Sequence, residues 1–458
     1  RVFENAFLEY GCMKSMTAPL NRKMYFLTDP IEDRAKDWLD YKINYQATFA
    51  AQLMYPMVDT YEVMPWPDRI YQGLYRIAGT DQKERIPRSY STQMQTMVNT
   101  LNDIRTSDKK ITGTQGIGVL MANSLMFQRF PNHNGYDDPQ FSSFYGQTLP
   151  LLKRGIPVEL VHMENTPFKE TFKGLHILVM SYSNMKPMKP EYHNYLADWV
   201  KKGGILIYCG EDIDPYQTVL EWWNTDGNEY KAPSEHLFEK MNLSRNPGEG
   251  TYRYGKGTVI VMREDPKHFV LKAGNDQKYF ETIASAYQKK IGKEIETKNS
   301  FIVERGPYTI AAVMDESVSK EPLTLSGLYI DLFDKDLPVL TSKQIQPGEQ
   351  GYLYDLNKVS GKIKAKVLCG ASRIYDEKVS KQSYSFVAKS PINTTNVSRV
   401  LLPRKPEKIR VNGKEEQPEW DESSKTLLLS FENDPSGVNV SIAVSYTHLR
   451  AHETSQDL

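Results

Sequence analysis

Apolar residues near the start of the chain follow two different spacings. Residues 38–55 carry aromatic and aliphatic side chains three or four positions apart, which predicts a helix with one buried face. The same spacing predicts helices over residues 3–16 and 90–104. Short apolar runs predict strands over residues 23–28 and 58–64. The chain therefore begins with alternating helices and strands.

This alternation sets the predicted fold class. In residues 1–105 it is the pattern of the C-terminal part of a (β/α)8 barrel. A polar stretch at residues 106–115 interrupts the pattern. Strands and helices alternate again in residues 116–295, where they are numerous enough to form a complete domain. Gly203 and Gly204 end one of these helices before the next strand. We predict a flavodoxin-like, class I glutamine amidotransferase-like α/β domain there.

The last third of the chain changes its period again. Short runs of alternating apolar and polar residues, separated by proline, glycine, asparagine and aspartate, predict an all-β region over residues 300–444. Asn412 followed by Gly413 predicts a tight type I′ hairpin. The spacing of the runs fits one or two β-sandwich modules. The predicted protein is thus multidomain, α/β followed by all-β.

Composition narrows the class of protein. With 458 residues, 40% of them hydrophobic and 25% charged, the chain has the make-up of a multidomain globular protein. Lys plus Arg and Asp plus Glu both number 57, so we expect no nucleic-acid or membrane partner. Cys12, Cys209 and Cys369 lie far apart, without zinc-binding spacing. We therefore expect buried free thiols, no metal and no cofactor.

The two ends of the sequence differ from the predicted core. The chain starts at Arg1 directly in an amphipathic pattern, so we expect a fragment that begins inside a domain. Residues 445–458, SYTHLRAHETSQDL, abandon the preceding alternation, and we expect them to be a non-native tail. For the complete protein we expect a periplasmic or extracellular location.

Carboxylates accompany the two predicted strands of the first region. Asp29 and Glu32 follow the first strand, Glu62 lies within the second, and Asp68 comes after it. Barrel enzymes hold catalytic groups at the C-terminal ends of strands, and glycosidic cleavage needs two carboxyl groups flanking the bond. We predict Glu62, Glu32 and Asp29 as candidate catalytic residues. Glu62 would be costly in an apolar strand unless paired or functional, whereas Glu32 has the alternative role of capping the next helix.

Aromatic and ionisable residues near these carboxylates are candidate sugar-binding groups. Trp66 stands between two prolines, and its ring would either stack on a sugar or plug the core beneath the barrel rim. Asp68 and Arg69 would bind substrate or form a salt bridge within the turn. Trp38, at the start of the second helix, completes the candidate substrate-binding set.

The α/β region lacks the nucleophile of an amidotransferase. In that fold a cysteine occupies the sharp turn after a strand, but here the turn reads Ser-Tyr-Ser-Asn at residues 181–184. Cys209 ends the next strand with no histidine in triad placement. His162, His176 and His193 are interpreted as surface or sheet-end residues. We predict a non-catalytic member of the fold.

The order of these parts resembles the bacterial β-galactosidases that carry a trimerisation domain, and the trimeric β-mannosidases built on the same plan. The likeness covers the architecture of residues 1–444. Its best local match is residues 178–210, where LVMSYSNMKP is followed by YLADWVKKGGILIYCG. The stretches LTDPIED and YEVMPWPDRI together look like a gut-bacterial relative of these enzymes.

The resemblance implies a retaining glycoside hydrolase that acts on a β-linked hexose, such as a galactoside or mannoside, and assembles as a homotrimer. In that family the acid/base is a glutamate on the fourth barrel strand and the nucleophile a glutamate on the seventh. If residues 58–64 are the eighth strand, the nucleophile lies near Asp29 and Glu32; in a shortened barrel Glu62 takes that role. The acid/base strand would then be absent from this chain, and we expect residues 1–444 alone to be inactive.

A second interpretation stays open. If the barrel lacks working catalytic residues, the chain belongs to a non-catalytic carbohydrate-binding or oligomerisation protein. The adjacent Trp222 and Trp223 fit a loop that contacts either the aglycone of a substrate or another subunit. Glycan binding without hydrolysis would favour this interpretation.

Overall fold

The computed structural model describes residues 2–28, 37–63, 68–127, 141–359 and 363–444, and in these ranges it contains ten α-helices and 24 strands. The helices are α1 (Val2–Thr17), α2 (Trp38–Leu53), α3 (Asp68–Tyr71), α4 (Arg88–Thr100), α5 (Ser124–Phe127), α6 (Ser142–Leu152), α7 (Tyr192–Lys201), α8 (Pro233–Lys240), α9 (His268–Leu271) and α10 (Gln277–Ile291). The strands are β1 (Phe26–Thr28), β2 (Tyr61–Val63), β3 (Leu74–Arg76), β4 (Lys83–Arg85), β5 (Ile117–Met121), β6 (Glu159–His162), β7 (Ile177–Met180), β8 (Ile205–Cys209), β9 (Gly250–Tyr254), β10 (Gly257–Met262), β11 (Ser300–Arg305), β12 (Tyr308–Val313), β13 (Leu323–Asp331), β14 (Val339–Ile345), β15 (Gln350–Asp355), β16 (Lys366–Gly370), β17 (Arg373–Val379), β18 (Ser383–Lys389), β19 (Thr395–Leu401), β20 (Lys408–Val411), β21 (Lys414–Glu416), β22 (Glu419–Asp421), β23 (Thr426–Glu432) and β24 (Val438–Ala443). The predicted class, mixed α/β followed by all-β, is confirmed at this level.

The first region is built on two packed helices, α1 and α2. Tyr41, Tyr45 and Phe49 of α2 are buried, which confirms that the three- and four-residue spacing marks the inner face. Asp37 caps the helix, since its side chain accepts the backbone N–H of Asp40 at 2.9 Å. The helix therefore begins where its apolar face begins.

Two short parallel strands lie beside these helices. β1 and β2 pair with Phe26 opposite Tyr61 and Thr28 opposite Val63. Each strand has three residues, fewer than predicted. The antiparallel pair β3 and β4 was not predicted; Tyr75 alone among its six residues is buried, so the sequence carries no alternation there.

Six strands of the middle region form one sheet in the order β6-β5-β7-β8-β10-β9. Five run parallel, and β9 pairs antiparallel with β10 at the edge. β5, β7 and β8 are buried at every position, which explains their uninterrupted apolar sequences. α7 ends at the predicted glycines, where Gly203 has φ +122° and donates its N–H to the Val200 carbonyl at 2.8 Å. Between β6 and β7, residues Lys169–Phe172 form a single 3-10 turn.

A five-stranded sheet, in the order β11-β12-β15-β13-β14, packs against the first region. The ring of Phe301 lies 6.1 Å from that of Phe3 and 5.2 Å from that of Phe7, measured between centroids. Phe49 of α2 meets Tyr352 of β15 at 5.5 Å. The first region and this sheet therefore share one aromatic core.

The remaining strands form two sheets, β16-β19-β23-β22 and β17-β18-β24-β20-β21. Their inner faces share one cluster of buried side chains, with Tyr384 and Phe386 from one sheet and Leu427 from the other. This is a β-sandwich, and inward and outward residues alternate along its strands β18 and β24. The predicted hairpin is confirmed: Asn412 and Gly413 have φ of +48° and +80° between β20 and β21.

Candidate functional site

The ends of β1 and β2 are where the sequence places its candidate catalytic residues. The strands run parallel as neighbours, with Thr28 opposite Val63 at their last positions, so the C-terminal ends of both strands lie at the same edge of the sheet. Neighbouring strands lie about 5 Å apart. Asp29, Glu32 and Trp66 lie outside the described residues, and their roles stay predictions.

Glu62 lies in the middle of β2, opposite Leu27 of β1. It is exposed, and Leu27 beside it exposes 44% of its surface. The expectation that Glu62 is buried in an apolar strand is therefore wrong, because one face of this two-stranded sheet is open in the described part of the chain. Since Glu62 is exposed, its carboxylate pays no desolvation energy, and desolvation gives no reason to assign it a function. Its candidate catalytic role rests on its position near the strand end and stays a prediction.

The remaining candidates lie on helices. Asp68 and Arg69 begin α3, and their side chains lie outside what the structure describes. Trp38 begins α2 and is half-buried against Tyr90 of α4, with ring centroids 6.0 Å apart. This contact joins α2 to α4 and leaves the Trp38 ring partly exposed. The substrate-binding roles of Trp38, Asp68 and Arg69 stay predictions.

Arg305, which sequence reasoning missed, fixes the approach to β2. It is buried at the end of β11. Its guanidinium donates to the Val58 carbonyl at 2.6 Å and to the Tyr61 hydroxyl at 2.5 Å. It also donates to the Arg105 carbonyl at 3.2 Å. Segments far apart in sequence meet on this one cation, so no local periodicity could have predicted it.

Tyr61 connects Arg305 to the strand that carries Glu62. Burial raises the pKa of Tyr61 to about 12, although the Arg305 charge opposes the shift. The phenol is therefore neutral at pH 7 and donates to the Val58 carbonyl at 2.7 Å. Arg305, Tyr61 and Val58 form one hydrogen-bonded unit that holds the start of β2.

A second polar cluster lies in the loops that follow β7 and β8. Lys186 is buried and donates through Nζ to Asp214 at 2.7 Å and to the Tyr182 carbonyl at 2.5 Å. Asp214 also accepts the side-chain amide of Gln217 at 3.0 Å and the backbone N–H of Tyr216 at 3.1 Å. Burial lowers the pKa of Lys186, and the adjacent carboxylate of Asp214 opposes this. The pair ties the two loops together.

Next to this pair, three side chains form a buried relay. The Tyr182 hydroxyl lies 2.5 Å from His193 Nε2, and His193 Nδ1 lies 2.8 Å from His236 Nδ1. Burial raises the pKa of Tyr182 and lowers the pKa of His193, so both are neutral. In the neutral His193 ring one nitrogen donates and the other accepts, so its tautomer sets the direction of both hydrogen bonds. His193 is fully buried on α7, so its interpretation as a surface or sheet-end residue is wrong.

Nucleophilic chemistry is not favoured in this region. Cys209 is buried at the end of β8, and burial raises its pKa, so it remains a thiol at neutral pH. In the turn after β7, Ser181 is buried and accepts the backbone N–H of Ser183 at 3.0 Å. Neither side chain is presented to a substrate.

The part of the chain that the structure describes contains neither a cluster of metal ligands nor a membrane-spanning helix. Within it, no group of three or more His, Cys, Asp and Glu side chains is placed to hold a metal ion. No helix in the same ranges is long and apolar enough to span a bilayer.

Comparison with known proteins gives structural likenesses at low identity. No protein-family model matches the chain, and no curated protein matches it. Among solved structures, it is similar to a β-galactosidase from Bacillus circulans sp. alkalophilus, with 11% identity, a TM-score of 0.42, and coverage of 77% of this chain and 58% of that one.

Two other solved structures give similar values. A catalytic mutant of a GH42 β-galactosidase from G. stearothermophilus has 10% identity, a TM-score of 0.37, and coverage of 69% of this chain and 50% of that one. A β-galactosidase from the psychrophilic Marinomonas ef1 has 9% identity, a TM-score of 0.36 and the same two coverages, 69% and 50%. The chain thus spans 50 to 58% of the length of these three structures. These three enzymes are β-galactosidases, the kind of enzyme that the sequence resembles.

Proposed function

We propose that the protein to which this chain belongs is a retaining glycoside hydrolase that acts on a β-linked hexose such as a galactoside or mannoside. The observation that carries the proposal is the parallel pairing of β1 and β2. Because the two strands are parallel, β1 and β2 end at the same edge of the sheet. Asp29 and Glu32 follow β1 in the sequence, and Glu62 is the second-last residue of β2. Residues 1–105 are, on this proposal, the C-terminal part of a barrel whose mouth lies at that edge.

The chemistry requires two carboxyl groups about 5 Å apart. One carboxylate attacks the anomeric carbon while a carboxylic acid protonates the departing oxygen and becomes a carboxylate. This carboxylate then accepts a proton from the water that hydrolyses the glycosyl-enzyme, which restores the acid. Asp29, Glu32 or Glu62 supplies the nucleophile. Trp66 and Trp38 offer ring faces to the sugar, and Asp68 and Arg69 bind its hydroxyls.

Single substitutions identify the nucleophile. Of Asp29→Asn, Glu32→Gln and Glu62→Gln, we expect one to lower kcat at least about 100-fold, because the covalent step is lost. The measurement is nitrophenol release from aryl β-galactosides and β-mannosides. The protein assayed is the complete product of its reading frame, with residues 1–444 alone in parallel.

The exposed carboxylate of Glu84 in β4 provides the matched control. Glu84→Gln should keep wild-type turnover. Azide should restore turnover only to the alanine variant of the nucleophile, giving a glycosyl azide of inverted configuration. Wild-type kcat in all three test variants would contradict the assignment.

For residues 116–295 we propose an amidotransferase-like, flavodoxin-like domain that serves assembly rather than catalysis. Support comes from the order of the five parallel strands, which is 2-1-3-4-5 when the antiparallel edge strand is left out. The protonated, buried thiol of Cys209 supports the absence of nucleophilic chemistry. Residues 300–444, with the β-sandwich, complete the three proposed domains.

The proposed assembly is a homotrimer that uses an apolar patch on this domain. Met188, Ile213 and Leu220 expose 59%, 73% and 80% of their surface. Their loops are neighbours, because the Trp222 indole donates to the Pro187 carbonyl at 2.8 Å and the buried ion pair joins the loops after β7 and β8. A second copy of the chain would cover these side chains.

Leu220→Asp should convert the oligomer to a monomer, since a charge would be buried at the centre of the interface. The measurement is molar mass by light scattering during size-exclusion chromatography. Leu271→Asp, at a leucine that exposes 52% of its surface at the end of α9, should leave the mass unchanged. A monomeric wild-type protein would refute the proposed trimer.

The second candidate function is a non-catalytic carbohydrate-binding or oligomerisation protein. It is favoured by Glu62, which is exposed and has no hydrogen-bonding or ionic partner among the described residues. A catalytic carboxylate is normally held in place by neighbouring groups. Sugar binding without any hydrolysis in the assay above would select this candidate.

A further inference from the structure

A cavity of about 350 Å³ opens between the end of α4 and the strands β16 and β17. Its lining combines apolar groups, such as Leu368, with the side chains of Asp103, Arg373, Tyr375 and Glu377. None of the lining residues belongs to β1, β2 or α2, so the cavity is separate from the strand ends discussed above. Its volume lies within the range of about 300–1,000 Å³ that is usual for small-molecule sites.

Both strands that border the cavity carry a β-bulge. The register of β16 against β19 shifts between Val367 and Cys369, and that of β17 against β18 shifts between Tyr375 and Lys378. In the second bulge Asp376 has φ +50°, a left-handed conformation that residues with a Cβ rarely adopt. Bulges redirect side chains and are common beside binding sites. Two of them at one cavity indicate a shaped site rather than a gap between sheets.

Two buried tyrosines fix the carboxylates of the cavity. The Tyr384 hydroxyl accepts the N–H of Val367 at 3.1 Å and donates to Glu377 Oε2 at 2.5 Å, so it links the two bulges. On the α4 side, the Tyr308 hydroxyl donates to Asp103 Oδ2 at 3.2 Å. Each carboxylate keeps its second oxygen without a hydrogen-bond partner among the described residues. The site therefore holds two oriented acceptors in advance of binding.

Tyr375 supplies a ring face beside these acceptors. It exposes 44% of its surface, and Lys389 Nζ lies 5.4 Å from its ring centroid. Arg373 is exposed at the cavity and has no hydrogen-bond or ion-pair partner among the described residues, so its guanidinium is available as a donor. The cavity thus offers an aromatic ring face, two oriented carboxylates as hydrogen-bond acceptors and the N–H donors of a guanidinium.

We propose that this cavity binds a neutral sugar, as a site distinct from the proposed catalytic one. A pyranose has an apolar face of C–H groups that stacks on an aromatic ring, and hydroxyls that donate to carboxylates and accept from a guanidinium. The carboxylates of Asp103 and Glu377 are balanced by the cations of Arg373 and Lys389, so the site carries no net charge and fits a neutral hexose. The two fixed carboxylates select hydroxyl pairs at the sugar edge.

The test is binding of β-1,4-galactobiose and β-1,4-mannobiose to the full chain, measured by saturation-transfer NMR and calorimetric titration. Tyr375→Ala should weaken binding of the preferred disaccharide about tenfold, because the stacking surface is lost. Tyr375→Phe should retain it. Tyr195→Ala, which removes a similarly exposed tyrosine (39%) from α7, is the matched control and should bind as the wild type does.

The outcomes separate this proposal from the proposed catalytic function. Binding should persist in Glu62→Gln and Glu32→Gln whether or not the protein hydrolyses glycosides. Binding that is lost in those variants and unchanged in Tyr375→Ala would place the sugar at the strand ends and overturn the proposal. Absence of binding by the wild type to either disaccharide would overturn it as well. An unchanged circular dichroism melting curve for Tyr375→Ala shows that a loss of binding is not a loss of folding.

Discussion

Replacing Lys186 with methionine will lower the free energy of local opening of the loops after β7 and β8 by about 3–5 kcal/mol. Lys186 and Asp214 are both buried, with Nζ and Oδ2 2.7 Å apart. Methionine keeps the length of the side chain and removes the cation. Asp214 then remains as a buried charge with only Gln217 and the Tyr216 N–H as donors. Removing one partner of a buried pair is costly because the other charge is left uncompensated.

Hydrogen exchange of the β7 and β8 amides is the measurement, because global unfolding of a chain with several sheets is not two-state. The control is Lys189→Met, whose ammonium lies 3.7 Å from Glu191 with 60% and 48% of the two side chains exposed; it should change the opening free energy by at most about 1 kcal/mol.

The double variant Lys186→Met with Asp214→Leu should lose less than Lys186→Met alone, since it leaves no buried charge. The Gln217 amide, deprived of its acceptor, keeps the recovery incomplete. If Lys186→Met exchanges within about 1 kcal/mol of the wild type, the pair does not stabilise these loops.

The predictions of the fold succeeded where burial imposes a period on the sequence. α2 buries one face and therefore spaces Tyr41, Tyr45 and Phe49 at helical intervals, while β7 and β8 are buried on both faces and are apolar throughout. Elements without such a pattern were missed. α8 has only eight residues, of which Leu237 and Phe238 are buried next to each other, too few for a recognisable period.

Polar contacts between distant segments could not be predicted in the same way. Lys186 lies in the stretch SNMKPMKP, which has the composition of an exposed loop, and its burial depends on Asp214 in another loop. His193 has its partners on a different helix and a different loop. The expected burial of Glu62 failed for the converse reason, because apolar neighbours in sequence do not show whether a strand is covered. The spacing of apolar residues predicts which face of a helix or strand is apolar. It does not predict which other element packs against that face.

Arg305→Met is the second change with a large expected effect, a loss of about 3–4 kcal/mol in the local stability of residues 58–63. The guanidinium donates to the carbonyls of Val58 and Arg105 and to the Tyr61 hydroxyl. Methionine fills part of the space but removes the donor to the Arg105 carbonyl and to the Tyr61 hydroxyl oxygen, at about 1–3 kcal/mol for each unsatisfied group. The Val58 carbonyl loses one of its two donors and keeps the Tyr61 hydroxyl. Relaxation and entry of water will recover part of the sum. Relative to the wild type, the variant should therefore show a larger increase in amide exchange before and within β2 than in α2.

Arg305→Lys separates charge from geometry. A lysine keeps the cation but replaces the planar fork with a single ammonium, so it can reach only part of the acceptor set and should show an intermediate loss. Arg76→Met, which removes an exposed guanidinium paired with Asp81 at 3.0 Å, is the control and should leave exchange in residues 58–63 unchanged. If Glu62 or a neighbouring carboxylate is catalytic, Arg305→Met will also lower kcat more than it raises KM, because Arg305 positions the strand without touching the substrate. Equal protection of residues 58–63 in the methionine variant and the wild type would show that β2 is held by its pairing with β1 alone.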